Sequence, residues 1–151
     1  MRIDRRLFLK STAAAVATLS LPLPAAAGTP VKLGKLATLT AGQPVSSKLS
    51  DGTPVVVLKL GAPCDGGVGP DRDVVGFVPV CTHLGCVVSW TGGRFVCPCH
   101  ASQFDAALGG QCYQGPATAA LPRLRLRVEG EDIESVGVDG VTWNQPTTEP
   151  A

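Results

Sequence analysis

Both His residues and four of the six Cys residues of this chain fall between Cys81 and His100. That clustering constrains the fold more than any other feature. The window holds Cys81, His83 and Cys86, then Cys97, Cys99 and His100. Between the two groups runs CVVSWTGGRFVC, in which Val87 to Trp90 and Arg94 to Val96 have strand character and Gly92-Gly93 is a two-residue hairpin turn. A turn centred there sets Trp90 opposite Phe95, Val88 opposite Cys97, and Cys86 opposite Cys99. Directly opposed residues have Cα atoms about 4.5–5.5 Å apart, within disulfide reach, so the register nominates a Cys86–Cys99 bridge. Pro98 ends the ladder there, and the pairing becomes loop-like. The same hairpin gathers Cys81, His83, Cys97 and His100 at its open end, one thiol and one imidazole from each loop.

Two thiolates and two imidazoles form a metal-ligand set. Zinc accepts such a set, although Cys-x-His followed by Cys-x-x-His is not the order of a zinc finger. A catalytic zinc would also need an open coordination position and a nearby general base. Haem attachment requires Cys-x-x-Cys-His, and the run Cys97-Pro98-Cys99-His100 is one residue short of it. No nucleophile–base set, phosphate loop or nucleotide fingerprint occurs elsewhere.

Composition bounds the remainder. The 151 residues are about one domain's worth, and 44% hydrophobic against 17% charged is too apolar for a disordered chain. Gly 18 and Pro 13 favour short strands joined by turns over a helical bundle. The formal charge of +1 excludes the basic excess of a nucleic-acid binder. The reading is an all-β domain over residues 28–144 with a polar tail over 145–151. Strands are predicted at Val31 to Leu36, Pro54 to Leu60, Asp73 to Val80 and Arg123 to Val128. A final hairpin, Asp132 to Val138 with Val141 to Trp143, would turn at Asp139-Gly140. Residues 61–72, GAPCDGGVGPDR, form a loop. In RLRLRV the alternation sends Leu124, Leu126 and Val128 inward; Arg123, Arg125 and Arg127 read as a solvated face, with docking of an acidic partner as the alternative. Trp90 and Trp143 read as packing residues. Cys64 and Cys112 invite a second disulfide, with two separate thiols as the alternative.

Residues 1–27 read as an export signal: a basic start with Arg5-Arg6, a short apolar stretch from Ala13 to Leu23, and Ala25-Ala26-Ala27 at the cut. Eleven residues are too few to span a bilayer, which needs about 20 in a helix. The start resembles a twin-arginine signal, although Asp4 stands where Ser or Thr is commoner. That route carries folded proteins with cofactors already inserted, and it predicts a periplasmic protein without membrane association unless the signal is kept as an anchor. Taking its four basic residues and one acid from 13 and 12 leaves 9 and 11, a formal charge of −2. The compartment is oxidising and admits disulfides.

CTHLGC at 81–86 and CPCHAS at 97–102 resemble the two cluster-binding boxes of Rieske proteins, in motif and in spacing. The resemblance implies a Rieske-type β-sandwich with a cluster-binding hairpin subdomain. It implies a [2Fe–2S] cluster with Cys81 and Cys97 on one iron and His83 and His100 on the other, and it too implies a Cys86–Cys99 disulfide. Gly115-Pro116-Ala117 is similar to the family's proline loop over the cluster. Two neutral imidazoles in place of two thiolates raise the cluster charge from −2 to 0, so an added electron meets less repulsion. Such centres accordingly lie at roughly −150 to +300 mV. Imidazole ligation also implies a potential that changes with pH in the alkaline range. Ser102 aligns with a hydroxyl donor to the cluster, whereas Phe104 stands where quinol-oxidising members carry Tyr, which implies a potential below theirs.

Over nearly the whole exported part the chain is most similar to the small subunit of arsenite oxidase, through GGVGPDRDVVGF, Phe104 and GPATAALPRL. The implied role is that of an electron-transfer subunit with no substrate site of its own. It would pass electrons from a large molybdopterin catalytic subunit to a cytochrome c or a cupredoxin. A similar small subunit accompanies iodate reductase. The Rieske subunit of a quinol–cytochrome c complex and the ferredoxin of a ring-hydroxylating dioxygenase are the remaining alternatives. The first wants Tyr at position 104; the second is typically cytosolic and lacks the disulfide.

Overall fold

The computed structural model describes residues 29–141. The signal reading (1–27), the tail (145–151) and Trp143 lie outside the described residues. Among the described residues, ten strands form two sheets. The larger contains β1 (Val31–Lys35), β2 (Pro44–Lys48), β3 (Pro54–Lys59), β4 (Val74–Phe77), β9 (Arg123–Glu129) and β10 (Asp132–Asp139), in the order β1-β10-β9-β4-β3-β2. Inserted between β4 and β9 is the smaller sheet, β5 (Ser89–Thr91), β6 (Arg94–Val96), β7 (Gln103–Asp105) and β8 (Gln111–Gln114), ordered β5-β6-β7-β8. All named strand pairs are antiparallel.

The interior strand β3, flanked by β4 and the edge strand β2, reads PVVVLK because both its faces are covered. Val55 and Val57 enter one core with Leu33, Val74, Val78, Leu124 and Ile133. Val56 and Leu58 point the other way, into a second core shared with the small sheet through Phe95, Phe104 and Val88. Strand alternation thus serves two cores from one apolar run. Phe77 on β4 and Phe95 on β6 meet edge to face, with ring centroids 5.5 Å apart, and join the two sheets. Trp90 adds a polar tie, its Nε1 donating to the Gly42 carbonyl at 2.9 Å while its ring packs on Phe95.

β5 and β6 pair with Ser89 opposite Val96, Trp90 opposite Phe95 and Thr91 opposite Arg94, the register derived from the Gly92-Gly93 turn. Gly92 and Gly93 have φ of 58° and 82°, which only glycine adopts without strain and which the tight hairpin requires. The last hairpin differs from expectation. β10 turns back on β9 at Gly130-Glu131 and pairs with β1 on its other side, so both its edges are taken. Val141 is not in a strand, and Asp139-Gly140 ends β10 instead of turning it. Strands β2, β7 and β8 had no clear sequence signal; all are short, β2 and β8 are largely exposed, and β7 buries only Phe104.

The arginines of β9 form a solvated face in which each is paired. Arg123 binds Asp65 at 2.9 Å, Arg125 binds Asp139 at 3.3 Å and Arg127 binds Glu134 at 2.9 Å. The second disulfide does not form. Cys64 and Cys112 are free, and each thiol is taken up locally, by the Arg72 carbonyl at 3.7 Å and the Gln114 carbonyl at 3.3 Å.

Candidate metal centre

The two loops that carry the Cys and His residues are built alike. In the first, the Cys81 N–H donates to the Cys86 carbonyl and the Cys81 carbonyl accepts from the Gly85 N–H, at 2.8 and 2.9 Å. In the second, the Cys97 N–H donates to the Ser102 carbonyl and the Cys97 carbonyl accepts from the Ala101 N–H, at 2.8 and 3.0 Å. Each loop closes through a residue in the left-handed region, Gly85 at φ 79° and Ala101 at φ 57°. The backbone strain at Ala101 costs on the order of 1 kcal/mol relative to glycine. These closures turn the first Cys of each loop inward. Cys81 and Cys97 are buried, while His100 is exposed and His83 half-buried.

The Cys86–Cys99 disulfide ties the two loops, with Cα atoms 6.5 Å apart. Sulfurs of Cys86, Cys97 and Cys99 lie within 4.8 Å of one another, but two of them are joined, so Cys97 is the free thiol of that group. The imidazoles of His83 and His100 stand edge to face with centroids 4.9 Å apart. The structure thus pairs the two imidazoles with each other and the Cys81 thiol with Cys97.

Two observations test whether this set suits a metal cluster. The Nδ1 of His83 is buried and has no hydrogen-bond partner, the only such side-chain atom among the described residues. A buried nitrogen left unpaired is costly, and a metal that accepts its lone pair removes the cost. The Cys97 sulfur is also prepared for negative charge. Burial opposes ionisation of Cys97, yet the backbone N–H groups of Cys99 and His100 and the Cys81 thiol donate to its sulfur and hold its pKa below the ordinary thiol value. Burial pushes the Cys81 thiol up, against donation from the backbone of His83 and the hydroxyl of Ser102. Donors aimed at ligand sulfur stabilise the extra charge of a reduced cluster and raise its potential. The residues fit an iron–sulfur cluster.

A third loop closes over the first two. Ser102 is fully buried, and its Oγ accepts the Ala117 N–H at 3.1 Å, leaving the hydroxyl proton free for sulfur. Gly115 lies so close that a Cβ there would come within 2.5 Å of the Ser102 Cα, and its φ is 94°. Pro116 follows on the exposed side. Thr82, whose role was not legible from the sequence, donates from Oγ1 to the Ala119 carbonyl at 2.7 Å and latches the loop shut. Phe104 is buried and packs in the core between the sheets, offering no hydroxyl.

An all-β domain with paired Cys/His loops, one cystine and a proline loop defines an iron–sulfur electron-transfer protein. The family model of the Rieske [2Fe-2S] domain matches residues 29–125, and the chain belongs to that family. Its cofactor is a Rieske-type [2Fe–2S] cluster, and its role is electron transfer. It is 37% identical to the iodate reductase subunit IdrB of Denitromonas iodatirespirans, over 93% of this chain and 84% of that one. It is 44% identical to the cytochrome b6-f complex iron-sulfur subunit of Synechococcus sp. (strain RCC307), over 43% of this chain and 37% of that one. Among solved structures, the cyanobacterial plasma membrane Rieske protein PetC3 from Synechocystis PCC 6803 superposes with a TM-score of 0.56 at 33% identity, covering 70% of this chain and 97% of that one.

Proposed function

We propose that this chain is the electron-transfer subunit of an exported molybdopterin oxidoreductase acting on an oxyanion, with Cys81 and Cys97 on one iron and His83 and His100 on the other. The observation that carries the ligand assignment is the edge-to-face pair of His83 and His100 on two loops tied by a cystine, with the His83 Nδ1 buried and unpartnered. Bound there, the cluster supplies one-electron storage. The chain's own part is to orient four ligands, aim backbone and Ser102 donors at sulfur, and cover the site with the loop from Gly115 to Ala120. An exposed His100 shortens the tunnelling distance to a docked partner.

Iodate and arsenite are the two substrates this reading admits for the large subunit. Similarity along 93% of the chain to an iodate reductase subunit supports iodate; the resemblance in GGVGPDRDVVGF and GPATAALPRL supports arsenite. With arsenite, electrons leave through the cluster to a cytochrome c or cupredoxin; with iodate, they run toward the large subunit. The Arg5-Arg6 start supports twin-arginine export to the periplasm.

A second reading, the Rieske subunit of a quinol–cytochrome complex, has in its favour the partial match to the cytochrome b6-f subunit. The deciding experiment is purification of the native complex with metal analysis and assay of both oxyanions. The expected result is a large subunit containing molybdenum, with turnover of iodate or arsenite. Co-purification with cytochrome b instead overturns the reading.

A further inference from the structure

Of the three arginines on β9, Arg123 stands in different surroundings. Arg125 and Arg127 are about half exposed, and each pairs with a carboxylate on the neighbouring strand β10. The Arg123 side chain is 31% exposed, and its partner, Asp65, belongs to the loop between β3 and β4. Its Nη1 lies 2.9 Å from the Asp65 carboxylate and 3.5 Å from the Asp65 carbonyl. Two glycines leave the space that the guanidinium fills. A Cβ on Gly66 would come within 2.6 Å of Nη1, and one on Gly109 within 3.2 Å of both Nη1 and the Asp65 carboxylate. Gly66 follows Asp65 in its loop, whereas Gly109 lies in the turn between β7 and β8. One guanidinium therefore joins a strand of the large sheet, a loop of that sheet and a turn of the small sheet.

That junction is the root of the proline loop, which leaves β8 at Gly115 and enters β9 at Arg123. The loop is held further out by Thr82, which binds the Ala119 carbonyl, and by the Ala117 N–H, which donates to the Ser102 Oγ. At the root, the Leu121 N–H donates to the Gly110 carbonyl at 2.9 Å, and the Asp65 N–H donates to the Ala107 carbonyl at 3.1 Å. Movement of the root is carried to Ala117, whose N–H fixes the Ser102 Oγ while that hydroxyl donates to the Cys81 sulfur. As a partly exposed ion pair, Arg123–Asp65 contributes little to stability. Its weight lies in geometry, because a planar guanidinium packed on two backbones and bonded to a carboxylate holds them in one arrangement. Groups that orient a donor to a metal ligand tune the centre without touching it.

We infer that Arg123 is a positioning residue for the cluster: locked to Asp65 between Gly66 and Gly109, it fixes the root of the proline loop and, through Ala117, the Ser102 donor at the Cys81 sulfur. It acts through the loop and not on a ligand. The inference rests on the cluster alone and holds whichever partner the cluster serves.

The test uses the full chain loaded with its cluster, in the variants Arg123→Gln, Asp65→Asn and the two combined, with Arg125→Gln as control. In Arg123→Gln, hydrogen–deuterium exchange at the Ala117 and Leu121 N–H groups should quicken about fivefold. The midpoint potential, read by redox titration, should fall as the Ser102 donor loosens. Asp65→Asn should produce the same two changes in smaller measure, and the double variant should add little to Arg123→Gln. Arg123→Lys, which keeps the charge, should restore part of both. Exchange in β3 and β4 should stay as in the parent, and Arg125→Gln should alter neither readout. An unmoved or raised potential in Arg123→Gln overturns the inference. So does exchange that quickens throughout both sheets, the mark of a merely structural role, or an equal effect of Arg125→Gln.

Discussion

The large and small sheets of this protein are held together by different means. The six-stranded sheet has strands of up to eight residues, an apolar core of its own and a surface of ion pairs such as Lys32–Asp132 and Arg127–Glu134. The four-stranded sheet has strands of only three or four residues, too short to be stable alone. It borrows its core from the large sheet through Phe95 and Phe104, and its loops are fastened by a disulfide, a left-handed closure in each and the Thr82 latch. A metal centre needs fixed ligands more than it needs extended sheet, and local cross-links supply that. The large sheet is the scaffold; the small one is a clamp built on it.

The sharpest test of that contrast is Cys97→Ser, which removes a buried thiol from the clamp. Iron and sulfide analysis should find the cluster lost, while far-ultraviolet circular dichroism keeps the signal of the large sheet; loss of both would mean that the sheets do not differ as described. Phe77→Ala removes the ring that joins them. It should cost about 3–5 kcal/mol in denaturant unfolding, because a cavity opens in the shared core. Both sheets should melt earlier, and an unmoved midpoint would break the picture of a borrowed core.

Replacing Cys86 and Cys99 together by Ser opens a link across 13 residues of sequence. That should cost about 2–4 kcal/mol. Cluster loss in the presence of oxygen should speed up as well, and an unchanged rate would show the bridge to be incidental to the clamp. Ser102→Ala deletes one donor to sulfur. A difference of about 1 kcal/mol between redox states corresponds to about 40 mV for one electron. The potential should fall by tens of millivolts, read by redox titration, with a rise or no change counting against the donor role. Smallest is Arg125→Ala on the large sheet. Its pair with Asp139 is about half exposed on both sides, so a change under about 1 kcal/mol is expected. A larger loss in thermal unfolding would assign the surface ion pairs a weight this comparison denies them.

How much of this was legible varied with the kind of signal. The Gly92-Gly93 turn fixed a register of period two, and the same geometry carried the Cys86–Cys99 link to its correct partners. Apolar runs such as PVVVLK and alternation such as RLRLRV gave β3 and β9 with at most a one-residue difference at their ends. Polar strands were not legible. QCYQ and PVSSK become β8 and β2 because a neighbour offers an unpaired backbone edge, and side-chain pattern records nothing of that. The placement of Cys64 and Cys112 was likewise not legible, since an even number of thiols says nothing about the distance between them. Thr82 looked like a spacer between ligands until the proline loop was folded over it.

The order of residues by itself determined the ligand types, their two groups, the hairpin that pairs them and the family to which the motifs point. These are local properties: turn chemistry, strand alternation and side-chain identity act over a few residues, so they survive in one dimension. Only the tertiary structure decided which strands share an edge, that the second pair of thiols stays unbonded, and that His83 keeps a buried unpartnered nitrogen while His100 faces outward. Those features arise from contacts between distant segments, whose burial and hydrogen bonding exist only once the chain has closed on itself.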